Sequence, residues 1–162
     1  MRQVNPKNKI DHHLSTVLDT IEEWREARER IVFTNGCFDL LHPGHCDYLH
    51  KARTLGTKLV VALNTDDSVQ RLKGTHRPIQ NLFARSLVMA SLAAVDLVTS
   101  FDDDTPINVI QNLKPDVLVK GGDYCLDNIV GADFILHQGG SVCILPFLAG
   151  YSTSIIEAKI KQ

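Results

Sequence analysis

The stretch Val32-Phe33-Thr34-Asn35-Gly36-Cys37-Phe38-Asp39-Leu40-Leu41-His42-Pro43-Gly44-His45 decides the fold. An aliphatic run that begins at Ile31 stops at Asn35-Gly36, and a helix start follows at His42 to His45. Pro43 suits a first helical turn, where its missing N–H would have no partner anyway. A strand, a glycine-bearing loop and a helix N-terminus in that order make an anion site, because the first turn offers unpaired N–H groups and a partial positive charge. Gly44 removes the Cβ that would hold a bound nucleotide away, and two imidazoles three residues apart can both donate to phosphate oxygens. The layout is that of a phosphate site without a Walker lysine.

Outward from this loop, short aliphatic or β-branched runs at 31–34, 59–63, 97–100, 117–119 and 142–145 read as strands. Segments 44–55, 81–94, 105–113 and 129–137 between them have lengths and spacing suited to crossover helices, and a last helix is predicted over 153–161. Strands alternating with helices indicate an α/β fold, a Rossmann-like doubly wound parallel sheet of five strands in a single domain. Thr105-Pro106 reads as an N-cap followed by proline at the first helical position, and Lys114-Pro115 stops that helix. Before the first strand, Leu14, Val17, Leu18, Ile21 and Trp24 recur at helical spacing, so residues 1–30 form an N-terminal helical extension and 31–162 the main domain. Doubly wound sheets bind ligands at the carboxyl ends of their strands, which directs attention to the loops after the five runs.

A chain of 162 residues matches one ordinary domain. With 44% hydrophobic and 22% charged residues, disorder, collagen-like repeats and coiled coil are poor readings. A net charge of -2 offers no general footprint for nucleic acid or an anionic membrane. The first ten residues hold no continuous apolar stretch, and the longest aliphatic run, 59–63, is far too short to span a bilayer, so a cytoplasmic protein is expected. Cys37, Cys46, Cys125 and Cys143 contain no C-x-x-C pair and are read as reduced thiols.

His42-Pro43-Gly44-His45, after a strand ending Thr34-Asn35-Gly36-Cys37-Phe38-Asp39, resembles the H-x-G-H signature of the nucleotidylyltransferase superfamily. Leu72-Lys73-Gly74, Arg77-Pro78-Ile79, Val119-Lys120-Gly121-Gly122-Asp123-Tyr124 and Gly150-Tyr151-Ser152-Thr153-Ser154 follow in the order and spacing of its heptose 1-phosphate adenylyltransferase branch. The resemblance covers nearly the whole chain after the leading helix and implies that 31–162 is a nucleotidylyltransferase domain. It also implies transfer of AMP from ATP to D-glycero-β-D-manno-heptose 1-phosphate, giving ADP-heptose and pyrophosphate for lipopolysaccharide core synthesis. Further implications are Mg2+ as cofactor, a separate heptose kinase upstream and a homodimer. Two departures stand out: Ser154 occupies a usual threonine position, keeping the hydroxyl, and Ala84 stands where relatives commonly carry an acid before Arg85.

A sugar phosphate is largely dianionic at neutral pH, its second pKa being about 6, so it can attack the α-phosphorus without a general base. Positioning and charge neutralisation are what such a transfer needs. His42, His45 and Lys120 are the expected catalytic groups. Asn35, Gly36, Phe38, Gly44, Lys73, Arg77, Gly121, Asp123, Tyr124, Ser152, Thr153 and Ser154 are expected around the nucleotide, with Lys73 and Arg77 on a loop able to close over the triphosphate. Asp39, Asn64 and Asp66, at strand ends, are the expected sugar contacts. No protein metal ligand is assigned, the Mg2+ being held mainly by phosphates and water. Two alternatives stay open: a CTP-dependent enzyme for glycerol 3-phosphate or a phosphorylated amino alcohol, and a non-catalytic nucleotide- or zinc-binding module using Cys37, His42, His45 and Cys46. The run Asp102-Asp103-Asp104 reads as a solvated, dipole-compensating helix cap.

Overall fold

The computed structural model describes residues 5–122 and 125–160. Five strands, β1 (Ile31–Gly36), β2 (Lys58–Asn64), β3 (Leu97–Phe101), β4 (Val117–Gly121) and β5 (Ser141–Leu145), form one all-parallel sheet in the order β3-β2-β1-β4-β5. The helices are α1 (Leu14–Glu26), α2 (Pro43–Arg53), α3 (Asp66–Lys73), α4 (Leu82–Ser91), α5 (Ile107–Leu113), α6 (Ala132–His137) and α7 (Thr153–Ile160). The α/β reading of the sequence therefore holds. The strand order reverses between β1 and β4, and the crevice above that switch point is where a doubly wound sheet receives its ligand.

Period-two alternation along each strand splits the core into two layers. Ile31 and Phe33 of β1 face one side with Val60 and Ala62 of β2, while Val32 faces the other with Leu59, Val61 and Leu63. Helices α1, α5 and α6 contribute Ile21, Ile110 and Ile135 to the first layer; α2 and α4 contribute Leu49 and Met89 to the second. Covering both faces explains why β2 is aliphatic at consecutive positions.

The N-terminal segment is part of this packing. A 3-10 turn (Pro6–Lys9) leads to a parallel bridge between Ile10 and Val98, so the chain covers the outer edge of β3. Asp11 N–H donates to Val98 O at 2.9 Å, and Lys9 Nζ reaches Val95 O at 2.7 Å. Covering an edge strand removes a template for pairing with another chain. Val17 and Ile21 of α1 are both fully buried in the same layer as Phe33.

Three local expectations are corrected. The segment holding Lys73 is not a loop: Thr65 caps α3 by accepting from Ser68 N–H, and Gly74, at φ 96°, ends it. Thr105 does not cap α5; Pro106 occupies that position, and no side chain caps the helix. Asp102 and Asp104 are not a free helix cap. Both pair with Arg71, Thr65 donates to Asp102, and Ser68 donates to Asp103 O at 3.2 Å, so the acidic run ties α3 to the end of β3. The stop at Lys114-Pro115 is as expected, with Lys114 left-handed at φ 44° and its N–H on Ile110 O.

Truncating Ile21 to alanine removes three buried carbons from the layer shared by α1 and the sheet. Ile21→Ala is expected to lower the unfolding free energy by about 2–5 kcal/mol, read from urea denaturation; a change under about 0.5 kcal/mol would mean that α1 is not part of the cooperative core.

Candidate active site

A cavity of about 480 Å3 opens above the β1/β4 switch point, within the range of small-ligand sites. Its floor is made by strand ends. Lys120, near the end of β4, donates to Asn35 Oδ1 on β1 at 2.5 Å. Burial lowers the Lys120 ammonium to about 8, so near neutral pH it still presents a cation that is easily perturbed. Beneath it, Tyr48 of α2 shares a hydrogen bond of 2.7 Å with Thr34 and donates to Val119 O at 3.1 Å, joining β1, α2 and β4. A Cβ on Gly121 would lie 2.9 Å from the Phe147 ring and 3.0 Å from the Tyr48 ring, so glycine lets both rings approach the strand end closely.

One wall is the start of α2. His42 is the N-cap, its backbone extended, and its side chain makes no capping bond. A Cβ on Gly44 would come within 3.0 Å of the His42 ring, so glycine lets that imidazole fold across the helix end. The His42 and His45 rings stack with centroids 3.7 Å apart, and Phe38 closes the back of His45 at 5.2 Å. Each ring buries its Nδ1 with no hydrogen-bond partner among the described residues. A buried polar atom left this way costs about 1–3 kcal/mol, a cost that an acceptor or donor brought by a ligand removes.

Electrostatics keep both rings neutral near pH 7. Burial holds His42 below the ordinary imidazole range. For His45 burial acts first, the nearby His42 and Lys73 add to it, and Asp39 opposes, leaving the group at about 4. Each neutral ring carries one N–H donor, so the pair can donate to an anion while adding no charge of its own.

A second wall comes from α7 and the loop before it. Ser152 and Thr153 line the cavity, but both hydroxyls already have structural work. Ser152 Oγ accepts from Ile155 N–H at 3.2 Å as the helix cap, and Thr153 Oγ1 donates to Asp39 O at 3.1 Å. Capping and phosphate binding remain compatible, because a hydroxyl keeps a second bonding capacity. Phe147, Leu148 and Tyr151 give this side an apolar rim, with Phe147 69% exposed.

The cavity brings together Asn35, Gly36, Phe38, His42, Gly44, His45, Asn64, Lys73, Lys120, Gly121, Ser152 and Thr153, as the sequence led us to expect. Asp39 also lines it, yet its carboxylate is committed: Oδ1 accepts from Gln80 N–H at 3.0 Å, and Oδ2 from Ile79 N–H at 2.7 Å and Arg77 at 3.0 Å. Burial opposes the charge on Asp39, but these bonds outweigh it and hold the carboxyl below its usual range. Arg77 does not reach the cavity, being held between Asp39 and Glu157. Asp66 turns to Arg85 at 2.7 Å, and Ser154 is exposed outside the cavity, so neither is placed as expected. Asp123 and Tyr124 lie outside the described residues.

Two tests bear on metals. Among the described residues no group of three or more His, Cys, Asp or Glu is arranged to hold an ion, and Cys46 is exposed. A zinc site built from Cys37, His42, His45 and Cys46 is thus not assembled. Among the described residues Asp39 is the one carboxylate that lines the cavity, and it already accepts three hydrogen bonds. That donor set fits a Mg2+ that enters with phosphates and waters as its ligands.

Arg85 is the functional-site residue that sequence reasoning missed as a structural element. Fully buried on α4, it donates to Gln80 O at 3.0 Å, Cys37 O at 2.8 Å, Asn64 O at 2.8 Å and Asp66 Oδ1 at 2.7 Å. A lone cation inside the apolar stretch Leu82-Phe83-Ala84-Arg85-Ser86-Leu87-Val88-Met89 was the available signal. Arg85→Leu is expected to cost about 3 kcal/mol in urea denaturation, because three carbonyls and a carboxylate lose their donor. Arg85→Lys should recover only part of it, since an ammonium cannot span that fork of acceptors.

Residues 33–156 match the cytidylyltransferase-like family. The bifunctional protein HldE of Marinomonas sp. (strain MWYL1) is 56% identical over 143 residues, which are 86% of this chain and 30% of that protein. HldE of Rhodospirillum rubrum is 52% identical over 142 residues, 88% of this chain and 29% of that protein. The chain thus spans about 30% of the length of these curated relatives. Among solved structures it is similar to a lipopolysaccharide core biosynthesis protein from Thermoplasma volcanium GSS1, with a TM-score of 0.59 and 28% identity over 74% of this chain and 97% of that one. A pantoate-beta-alanine ligase from Francisella tularensis shares the fold, with a TM-score of 0.58 at 16% identity, covering 94% of this chain and 76% of that one. With its family match running from β1 into α7 across both walls of the cavity, this chain belongs to the cytidylyltransferase-like family.

Proposed function

We propose that this chain transfers the adenylyl group of ATP to a heptose 1-phosphate, releasing pyrophosphate and forming ADP-heptose for lipopolysaccharide core synthesis. The observation that carries the reading is the stacked His42/His45 pair, whose Nδ1 atoms have no partner among the described residues and which lines the same cavity as Lys120. The HldE relatives and the lipopolysaccharide core biosynthesis protein support the choice of sugar and pathway. The reading includes a sugar kinase supplying the 1-phosphate, a homodimeric enzyme and a cytoplasmic setting. Among the described residues no helix is long and apolar enough to cross a membrane.

The chemistry needs no general base. An oxygen of the sugar phosphate dianion attacks the α-phosphorus of ATP, and the bond from that phosphorus to the β-phosphate bridging oxygen breaks, leaving pyrophosphate. His42 and His45 donate N–H groups to oxygens where charge grows. The α2 N-terminus adds its partial positive charge, and Lys120 neutralises a phosphate from the sheet side. Lys73, at the end of α3, stands at the cavity edge for the outer phosphates. Phe147, Leu148 and Tyr151 offer an apolar face for the base. Mg2+, held by phosphate oxygens and water, supplies charge neutralisation when bound.

Two measurements check this. Pyrophosphate release with Mg2+ is expected with ATP and heptose 1-phosphate, and His45→Ala should lower turnover about a hundredfold. Release with CTP and glycerol 3-phosphate instead would establish the cytidylyltransferase alternative. A second expectation follows from Lys120, whose ammonium stands at about 8 in the free protein. A bound polyphosphate stabilises the charged form and raises that value, so its contribution to affinity is complete below about pH 8 and is lost as pH rises through the bound-state value. Titration calorimetry at pH 8.5, in buffers of different ionisation enthalpy, should show net proton uptake on ATP binding. Lys120→Met should abolish that uptake; equal heats in all buffers for the unaltered protein would refute the role.

A further inference from the structure

Helix α7 carries Ser152 and Thr153 at its start, yet none of its own residues is buried. Apolar packing therefore does little to hold one wall of the cavity in place. Polar contacts hold it instead, and they converge on one chain of side chains. Glu157 of α7 pairs with Arg77, and Arg77 pairs with Asp39 at 3.0 Å. Asp39 Oδ1 and Oδ2 accept from the Gln80 and Ile79 amides, while its carbonyl accepts from Thr153 at 3.1 Å. Three separate segments meet here: the β1–α2 loop that carries His42, the α3–α4 loop after Lys73, and α7.

We propose that Glu157, acting through Arg77 and Asp39, is a positioning residue that latches α7 over the nucleotide cavity. The proposal rests on the nucleotide-binding reading above and names what regulates the geometry of that same site. Glu157 touches no substrate. Its pairing partner is 11% exposed and Asp39 4%, so the contacts are largely shielded from solvent screening, while Glu157 itself is 24% exposed and can be altered without emptying the core. Removing Glu157 leaves Arg77 still paired with Asp39, which separates latch from scaffold. Removing Asp39 would leave two amides without an acceptor and a largely buried guanidinium with Glu157 alone, and that variant would test only folding.

The latch acts on a population. With α7 undocked for part of the time, apparent affinity falls by the docked fraction, whereas a bound triphosphate that contacts Ser152 and Thr153 draws the helix back. Glu157→Gln should therefore weaken ATP binding and raise the KM for ATP about tenfold, corresponding to a docked fraction near one in ten, with kcat kept within about twofold and the KM for the sugar phosphate unchanged. Glu157→Asp should recover part of the loss. Hydrogen exchange of the ligand-free protein should rise across 153–160 in Glu157→Gln and remain unaltered in β1, β2 and β4.

An unchanged ATP dissociation constant, or unchanged exchange across 153–160, would overturn the latch. A parallel fall of kcat with exchange rising throughout the sheet would also overturn it, as that is the signature of general destabilisation. Exchange is read without nucleotide. If ATP is not the co-substrate, the unaltered protein fails to bind ATP with Mg2+ while the exchange difference between the two proteins persists, so failure of the function reading is distinguishable from failure of the latch.

Discussion

The buried guanidinium of Arg85 is the constraint on which the active-site end of this molecule depends. Carboxyl ends of parallel strands are crowded with carbonyl oxygens, and the loops leaving them diverge. Arg85 gathers the carbonyl after β1, at Cys37, and the last carbonyl of β2, at Asn64, together with Gln80 and the first residue of α3. A planar fork with five N–H donors meets such a set better than any other side chain. Its placement on α4 means that a helix packed on one sheet face organises loops belonging to two central strands. Asp66 supplies the countercharge and does not line the cavity.

Around this clamp the structure accepts local costs where the chemistry is. Phe38 and Leu40 adopt left-handed backbone at φ 46° and 52°, conformations that ordinary L-residues rarely take, in the loop that carries the chain from β1 to His42. The two imidazoles bury nitrogen atoms without partners a few residues later. Both features lie beside well-satisfied groups: Tyr48 has Thr34 and Val119, Asp39 has three donors, and Lys120 has Asn35. Unsatisfied capacity is therefore concentrated on the surfaces that face the cavity.

Much of this was legible in the sequence, and the reason is periodicity. Both faces of the central strands are covered, so aliphatic runs at 31–34 and 59–63 stand out from polar helices, and the strand–loop–helix grammar around Asn35-Gly36 and Pro43-Gly44 leads to residues that line the cavity. Helix α3 was missed because eight residues with two apolar ones give no periodic signal, although Thr65-Asp66-Asp67 at its start and Gly74 at its end are recognisable caps. Arg77, Asp66 and Asp39 were assigned outward to a ligand because sequence shows a charge but not its partner. Each of their partners, Glu157, Arg85, Ile79 and Gln80, lies at least nineteen positions away.

The same limit applies to electrostatics. A net charge of -2 argues against any broad attraction for polyanions. Inside the cavity the balance is different: among the described residues Asp39 is the one carboxylate that lines the walls, and it accepts from Arg77 and two amides. Lys73, Lys120 and the α2 N-terminus therefore outweigh that carboxylate. Two neutral imidazoles would let phosphate approach closely without building up like charge in a confined space; burial depresses both His45 and Lys120, and at His45 the nearby His42 and Lys73 add to it. A ligand carrying several negative charges reverses both effects. Such a ligand would therefore shift the protonation equilibria of these donors toward their charged forms.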